Sequence, residues 1–546
     1  LISDASIVGS NLTINPNTGV LASVTAGQSR IFQQVITVGN NNLGDGDVNK
    51  QDGDYQSITE AISHALGTSA NNYTDGSLTT PGGANFLGAI SANNPYIILL
   101  GPGTYTYNPN EIVIPNNVHL IGDISETPII KTSNGVITGT LIENSSLIKL
   151  GSNSSVQNIK IQLDAGLNDA TDDKVIGIYC DGNNNTIKNV IIETVENASD
   201  EDTYGIYLTS SSGHLLSNIT FNLNLATLSI YGLYLNSCGT SSDILIKELI
   251  FNITSSNTNS YALYINSSKN CHLSHSNIYI NNADNKYGIY IKDSDCIIKY
   301  SDIEVEGDAD IGSDNSFTIY CDPTTSVSTT LSDITFTHNI SNADTIQSNA
   351  TDLGAAGFLD NSMIKLSGAS VSSNNKYYQI GQVSTTTIYF DEENFVTDEN
   401  TGASVTIEQL HSVSILYSTL KATSLSGTQK VINVETTGGD IQKNDLFHIE
   451  CKSCQLLGGS PFPNTSRLIF DQPQIIQVAK RGGHYHTLTE AINSIVDNNQ
   501  YRRYCIKIAS GNYIEPGQIT CKEYVDIEGE SPQNTILKFN ISNNNA

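Results

Sequence analysis

The chain has 546 residues, too many for one compact core, so several units or one elongated repeat array are expected. It carries 26 lysines and arginines against 55 aspartates and glutamates, and this net charge of -29 argues against nucleic acid as a partner. No stretch approaches the roughly 18 uninterrupted apolar residues of a transmembrane helix, so membrane insertion is not expected either.

The opening segment, residues 1–40, is predicted to be a β segment that serves in assembly. It begins "LISDASIVGSNLTINPNTGVL" and lacks the basic and apolar regions of a signal peptide, which was either removed or never present. The composition of the whole chain, rich in Asn, Ser, Thr, Ile and Gly, is typical of short β-strands joined by polar turns.

An acidic loop with the sequence "GDGDVNKQDGD" follows. Its oxygen-bearing side chains have the spacing of a calcium loop, and calcium is the one cofactor that the sequence suggests. The Gly and Glu expected at the sixth and twelfth positions are replaced by Lys50 and Gln56, so a solvated loop is favoured. A calcium site would use the side chains of Asp45, Asp47, Asn49 and Asp52.

The stretch "YQSITEAISHAL" places Ile58, Ala61, Ile62 and Leu66 at helical spacing. We predict a helix that covers the open end of the first β coil. The next stretch, "YIILLGPGTYTY", reads as a buried strand, a Pro-Gly turn and a second strand.

The middle of the chain repeats itself. Six segments, from "IGIYC" through "YGLYL" to "FTIYC", place a tyrosine every 26 to 30 residues, at Tyr179, Tyr207, Tyr234, Tyr264, Tyr290 and Tyr320. A second series runs out of phase with the first, from "VQNIKIQL" at Val156 to "LSDITFTH" at Leu331. Each repeat therefore contains at least two short strands whose apolar residues lie two apart.

A unit of this size cannot bury both faces of its strands alone, whereas stacked units can, with each strand pairing in parallel with its counterpart one coil on. The repeats predict an all-β fold, a parallel β-helix with Ile, Leu and Val in columns inside. Hairpin folds fit less well because two-residue turn signals are rare, and leucine-rich repeats lack their marker residues.

Two columns of side chains are candidates for a functional role. Tyr207, Tyr234, Tyr264 and Tyr290 could form a sugar-binding stripe, although aromatic stacking along the β-helix is the favoured interpretation. Cys271 and Cys296 occupy matching places in adjacent coils, either as stacked thiols or as a disulfide in an oxidising compartment.

The C-terminal third changes rhythm and then restarts. "YHTLTEAINSIV" from Tyr485 and "SGNYIEPGQITCKEYVDIEGE" from Ser510 echo the segments around Tyr55 and Gly101. The predicted units are an N-terminal β segment, a capped first β-helix, a small inserted β module, further coils, a Pro-containing linker and the start of a second β-helix, at 1–40, 41–340, 341–410, 411–460, 461–475 and 476–546.

The order of the "SITEAI" helix, "GPGTY", "EIVIPNNVHLIGD" and Asn-rich coils resembles the pectin-lyase-like superfamily of right-handed parallel β-helices. The N-terminal part looks most like its pectin methylesterase branch, and the whole resembles viral or phage fibres and tailspikes. The resemblance implies the fold, whereas the superfamily contains lyases, hydrolases, esterases and structural proteins alike.

The catalytic motifs of the pectin-acting branches are missing. No arginine lies between Arg30 and Arg467, which removes the base of the lyases and the fork that holds a uronate. Asp172, Asp173 and His214 are only fragments of a hydrolase signature. Catalysis is therefore uncertain and disfavoured.

We expect a structural component of an external assembly, a virion fibre, spike or surface filament, that self-associates and is located extracellularly or on a virion surface. Cell-surface polysaccharide is the other partner suggested, and Asn-x-Ser/Thr sequons such as Asn218 leave glycosylation open. A polysaccharide-acting enzyme and a carbohydrate-binding adhesin remain the alternatives.

Overall fold

The computed structural model of the 546-residue chain describes most of its coils and corners. The described residues are 12–14, 21–23, 34–39, 55, 57–66, 90–93, 95–133, 145–164, 174–195, 202–224, 229–239, 241–254, 259–281, 284–306, 315–322, 327–339, 343–349, 351–356, 358, 363–374, 377–390, 396–400, 404–423, 429–434, 447–457, 468–470, 474–480, 484–495, 498 and 503–539.

The N-terminal elements are an antiparallel strand pair and then the beginning of a parallel stack. The predicted helix is present as α1, which packs Ile58, Ala61 and Ile62 into the core. The elements are β1 (Leu12–Ile14), β2 (Leu21–Ser23), β3 (Gln34–Val38), α1 (Ile58–Ala65), β4 (Tyr96–Leu100), β5 (Thr104–Tyr107), β6 (Ile112–Ile114), β7 (Val118–Gly122) and β8 (Ile129–Thr132).

The repeats form stacked coils, as predicted, and each strand pairs in parallel with its counterpart in the next coil. Their strands are β9 (Ser146–Leu150), β10 (Ser155–Asp164), β11 (Lys174–Cys180), β12 (Thr186–Val195), β13 (Asp202–Thr209), β14 (Leu215–Asn224), β15 (Ser229–Asn236), β16 (Ile244–Thr254), β17 (Asn259–Asn266), β18 (Cys271–Ser274), β19 (Asn277–Asn281), β20 (Asn285–Lys292), β21 (Cys296–Lys299), β22 (Asp302–Glu306) and β23 (Asn315–Asp322).

Two walls of the coil matter for function. The tyrosine sheet contains nine parallel strands, in the order β6, β9, β11, β13, β15, β17, β20, β23 and, from beyond the insertion, β33 (Gln429–Val434). The bent sheet contains β10, β12, β14 and β16 and the shorter strands that continue them. Ile, Leu and Val from both walls fill one core, in columns such as Ile206, Leu233 and Leu263, which are fully buried.

A module with antiparallel pairing interrupts the sequence of the β-helix but not its stacking. It contains its own buried core around Phe336, Tyr378 and Phe390. Its elements are β24 (Val327–Leu331), β25 (Ile334–Thr337), β26 (Thr345–Ser348), β27 (Met363–Ser367), a 3-10 turn (Ser372–Asn374), β28 (Tyr377–Val383), β29 (Thr387–Phe390), β30 (Glu399–Asn400) and the first half of β31 (Val405–Leu416).

The β-helix resumes in register inside β31. Cys296 of β21 pairs with Val413, and β22 and β23 pair with β32 and β33. The prediction that "LSDITFTH" at Leu331 is a seventh coil is therefore wrong, because β24 and β25 pair antiparallel within the module. The remaining strands are β32 (Thr419–Thr423), β33 (Gln429–Val434), β34 (Phe447–Lys452), β35 (Gln455–Leu457) and β36 (Leu468–Phe470).

Part of the predicted linker 461–475 is a strand, since Leu468–Phe470 pairs in parallel with β34. After it the capped start is repeated: Val38 bridges Tyr55 in the first unit and Val478 bridges Tyr485 in the second. The second unit contains β37 (Gln474–Val478), α2 (Leu488–Ser494), β38 (Tyr504–Ile508), β39 (Gly511–Glu515), β40 (Val525–Gly529) and β41 (Thr535–Phe539).

Candidate functional site

The outer face of the tyrosine sheet carries two columns of stacked aromatic rings, which we name the tyrosine ladder. Rings within a column lie nearly parallel, with centroids 4.7 Å apart for Tyr207 and Tyr234. Rings of different columns meet edge to face, at 83° between Tyr231 and Tyr234. The first column is Tyr204, Tyr231, Tyr261, Tyr287 and Phe317, and the second is Tyr179, Tyr207, Tyr234, Tyr264, Tyr290 and Tyr320.

A local irregularity in each strand places two tyrosines three residues apart on the same face. In β15 the pairing register passes from Tyr231 to Leu233 and omits Gly232. A Cβ on Gly232 would lie 2.5 Å from the Phe251 ring in the core. The Tyr-Gly-x-Tyr motif therefore combines a local break in the strand pairing, an outward ring on each side and room for a large core side chain.

Four tyrosines proposed from the sequence, Tyr207, Tyr234, Tyr264 and Tyr290, all lie in the second column. Each ring covers much of its neighbour's face, since adjacent centroids are only 4.6 to 4.8 Å apart. A sugar stacks on an open ring face, and this column presents ring edges instead. The first column was missed at the sequence level, although the three-residue Tyr spacing could have indicated it.

Burial changes the chemistry of these phenols. It raises the pKa of Tyr264 to about 12, and the carboxylates of Asp322 and Asp293 add to that rise. The pKa of Tyr290 is also raised, by burial first and then by the hydrogen bond that its hydroxyl donates to Asp322. The ladder therefore stays neutral and hydrogen-bond donating well above neutral pH.

The ladder ends beside a cluster that we name the His411 corner, formed by Tyr290, Asp293, Asp295, Asp322 and His411. The Tyr290 hydroxyl lies 2.7 Å from Oδ2 of Asp322, and Nε2 of His411 lies 3.7 Å from Oδ1 of Asp293. The Asp293 side chain is only 7% exposed and that of His411 15%.

Asp295 connects this corner to the coil beyond the insertion, because its Oδ1 accepts a 2.7 Å hydrogen bond from the Ser412 amide. Burial raises the pKa of Asp295, while that hydrogen bond and the nearby His411 and Lys269 oppose the rise. Carboxylates, a phenol and an imidazole in one partly dry corner are groups suited to proton transfer. Sequence reasoning missed the corner, since Asp295 and Ser412 are 117 positions apart.

The other residues proposed from the sequence have plainer surroundings. The loop with Asp45, Asp47, Asn49 and Asp52 lies outside the described residues. Cys271 and Cys296 pair directly in adjacent coils, and both are buried free thiols. Within the described part of the chain, no group of three or more His, Cys, Asp or Glu side chains could hold a metal ion.

His214 is a core residue. It is 2% exposed, its Nε2 lies 2.9 Å from the Ser211 hydroxyl, and burial lowers its pKa to about 4. In the described ranges, no helix is long and apolar enough to cross a membrane.

Comparison with known proteins gives one family match. Residues 45–237 match the model of the family described as rhamnogalacturonase A/epimerase, pectate lyase-like. No curated protein matches the sequence.

Several solved structures are similar to this chain at a low level. The A-module of the mannuronan C-5 epimerase AlgE4 from Azotobacter vinelandii is 13% identical over 69% of this chain and 91% of that one, with a TM-score of 0.27. Pectin methylesterase from carrot is 12% identical over 56% and 84%, with a TM-score of 0.27. The Dettilon tailspike protein is 11% identical over 58% and 87%, with a TM-score of 0.14.

The family match agrees with the resemblance that "GPGTY" and the Asn-rich coils indicated. Residues 45–237 are thus similar to a pectate lyase-like family, and the stacked parallel coils give this part of the chain the parallel β-helix fold.

Proposed function

We propose that the chain forms a rigid β-helical rod in an external assembly, such as a virion fibre, a spike or a surface filament. The observation that carries this proposal is the tyrosine ladder, whose rings stack without a gap from Tyr179 to Tyr320. Each stacked pair adds about 0.5–1.5 kcal/mol beyond area burial, so bending or separating the coils along the ladder costs free energy at every step.

Polar ladders at the coil corners support the same proposal. Asn189 donates to Asn158 and Asn218 donates to Asn189, both at 2.8 Å. At another corner, the Ser268 amide donates to the Ser294 hydroxyl at 2.9 Å. These hydrogen bonds join each coil to the next, and a side chain that is held on both sides resists local unfolding.

We propose further that copies of the chain associate with one another in the assembly. Apolar side chains on the second unit support this, since Ile514, Ile536 and Phe539 are 66%, 41% and 47% exposed. Negative-stain microscopy and sedimentation of the full chain test the proposal. We expect protease-resistant rods that form larger assemblies, and globular monomers that trypsin digests rapidly would overturn it.

A second candidate function is a polysaccharide-acting enzyme, and the His411 corner favours it. Asp293 and His411 would exchange a proton with the substrate, and Tyr290 with Asp322 would hold a sugar hydroxyl. The assay is the release of reducing ends, methanol or unsaturated uronate from pectin-like polymers.

A matched pair of variants tests this candidate. Activity should be lost in His411→Ala and kept in His272→Ala, because His272 forms a similar but exposed contact of 3.9 Å with Asp243. Equal activity in both variants would remove the His411 corner as the catalytic site, and no activity in the unmodified chain would remove the enzyme from consideration.

A further inference from the structure

The bent sheet turns at one residue per coil, and these residues form a column on the surface that we name the corner column. Each of these residues has a positive φ. The angle is 49° at Tyr300 and between 50° and 56° at the other positions. In chain order the column is Asn158, Asn189, Asn218, Glu248, His275, Tyr300, Tyr417 and Ser453.

The first part of the corner column is explained by the backbone. Asparagine tolerates the left-handed conformation better than other side-chain-bearing residues, and the three asparagines bond to one another. For tyrosine the left-handed conformation has no such advantage and costs roughly 1 kcal/mol. The change from Asn to His275, Tyr300 and Tyr417 therefore needs a reason other than the turn itself.

The three aromatic residues make an exposed stack. The rings of His275 and Tyr300, and those of Tyr300 and Tyr417, have centroids 5.1 Å apart. Tyr300 and Tyr417 are 52% and 57% exposed, whereas Tyr207 of the tyrosine ladder is 8% exposed. The corner column therefore combines a strained backbone with aromatic side chains that are exposed to solvent.

Among the described residues, the stack of rings ends at Tyr417, which is 57% exposed. The next corner residue is Ser453, which has no ring, and it occupies the place where the next ring would lie. The side of Tyr417 toward Ser453 therefore carries no stacked ring from the described part of the chain and presents apolar ring surface.

Polar groups border this open face. Nζ of Lys452, next to Ser453, lies 2.7 Å from Oε1 of Glu450. Paired charges of this kind offer both donors and acceptors to hydroxyl groups without attracting a free ion of either sign.

We propose that Tyr417 and Ser453 form a carbohydrate subsite, in which a neutral hexopyranose ring stacks on Tyr417 in the place of the missing next ring. The apolar face of the sugar covers the phenol, and its hydroxyls bond to the Lys452–Glu450 pair. A neutral sugar fits because the chain carries a net charge of -29 and Lys452, next to Ser453, is already paired with Glu450. The subsite lies on the bent sheet, away from the tyrosine ladder and the His411 corner.

The test is binding of the full chain to an array of neutral hexose oligomers, namely cellohexaose, maltohexaose and mannohexaose, with trigalacturonate as the acidic comparator. We expect at least one neutral oligomer to bind. Tyr417→Ala should weaken that binding at least about tenfold, and Tyr417→Phe should change it little, because the ring remains.

Ser453→Tyr is the decisive variant. It adds a ring in the position proposed for the sugar, and tyrosine is accepted at the equivalent place in the two preceding coils, so the fold should be retained. We expect binding to be lost while the circular dichroism and thermal midpoint are kept. The control is Tyr524→Ala, which removes another exposed tyrosine of positive φ and should leave binding unchanged.

Three results would overturn the proposal. They are the absence of binding to every neutral oligomer, binding to trigalacturonate alone, and binding that survives both Tyr417→Ala and Ser453→Tyr. An equal loss in Tyr524→Ala would place the contact elsewhere and would overturn it as well.

Discussion

The hydroxyl of Tyr290 donates a 2.7 Å hydrogen bond to Oδ2 of Asp322, one coil further along the tyrosine sheet. The bond joins the end of the tyrosine ladder to the His411 corner, and it requires the phenol to keep its proton. Burial raises the pKa of ladder tyrosines above their ordinary value, and for Tyr290 the Asp322 bond adds to the rise. The stability of the β-helix should therefore fall in the alkaline pH range.

We predict that the free energy of unfolding falls as the pH rises above about 10. In the unfolded chain the tyrosines lose their protons near pH 10, while in the folded chain Tyr264 does so only near pH 12. The folded state then binds more protons than the unfolded state, so each such tyrosine removes up to about 1.4 kcal/mol of stability per pH unit in this window. Below pH 10 the contribution is fully present.

The measurement is denaturant unfolding at several pH values with tyrosinate absorbance followed in parallel. We expect tyrosinate absorbance to appear together with the loss of β circular dichroism. Smooth ionisation near pH 10 in a chain that stays folded would contradict the burial of the ladder.

A second prediction concerns Gly232. A Cβ at this position would lie 2.5 Å from Phe251 and 2.7 Å from the Ala262 carbonyl, so Gly232→Ala should destabilise the β-helix by about 1–3 kcal/mol. In the next coil the same position is Ala262, and Ile278 takes the place of Phe251. The double variant Gly232→Ala, Phe251→Ile should therefore regain part of the loss in chemical denaturation, and a double variant no more stable than Gly232→Ala would show that the backbone contact dominates.

The coil that contains Gly232 also shows how much of the fold can be predicted from the sequence. The period-two apolar pattern and the repeat length predict the stacked coils, because inward side chains such as Leu233 pack against the equivalent side chains of the next coil. The pattern does not reveal the direction of pairing. "ITFT" at Ile334 alternates like a coil strand, yet it pairs antiparallel, since only its neighbours in space decide that.

The candidate sites were less accessible to sequence reasoning. The second ladder column follows from the tyrosine repeat, whereas the first follows only from the three-residue tyrosine spacing within each segment, which departs from the period-two alternation at Gly232. The His411 corner requires knowing that the chain leaves the β-helix after Asp322 and returns at His411. Long-range contacts of this kind are set by tertiary packing and have no local signal.

Thiol reactivity provides a third prediction. Cys521 is exposed, Cys454 and Cys505 are partly buried, and the other six cysteines are buried. Burial raises the pKa of Cys180 and Cys296 to about 12, which leaves little thiolate at neutral pH. With a thiol-specific chromogenic reagent we expect Cys521 to react within minutes and the six buried thiols only on unfolding.

The total count in denaturant also decides the state of Cys271 and Cys296. Nine reactive thiols are expected if both are free, as in the structure. A count two lower in protein purified without reductant would show that an oxidising source joins a pair, and peptide mapping would identify it.

A fourth prediction concerns the start of α2. Glu515 is fully buried, and its carboxylate accepts hydrogen bonds from the Leu488 and Thr489 amides at 2.8 and 3.0 Å. At the start of α1 the corresponding partner of the Ile58 amide is the Tyr107 hydroxyl, at 2.7 Å. Glu515→Ala leaves one buried and one partly buried amide donor without an acceptor at a helix N-terminus, so it should destabilise the second unit by about 2 kcal/mol.

Amide hydrogen exchange measures this effect locally. Exchange at Leu488 and Thr489 should accelerate in Glu515→Ala, while Tyr107→Phe should accelerate exchange at Ile58 and leave α2 unchanged. If Glu515→Ala exchanges at the unmodified rate, the carboxylate does not cap α2 in solution.

The last prediction concerns removal of the inserted module. Between β20 and β21 the coil turns through three residues, Asp293 to Asp295, and Leu410 to Ser412 occupy the same three positions one coil on. Joining Asp322 directly to Leu410 therefore recreates a turn that the β-helix already uses. The residues removed, 323–409, contain the whole separate core of the module.

We expect the shortened chain to keep the far-ultraviolet circular dichroism of the β-helix and a thermal midpoint within a few degrees of the original, because no residue of the main core is removed. The Asp295 hydrogen bond to the Ser412 amide should also persist, which slow exchange of that amide would report. Aggregation, or loss of the circular dichroism of the β-helix, would show that the module stabilises the coils to which it is attached.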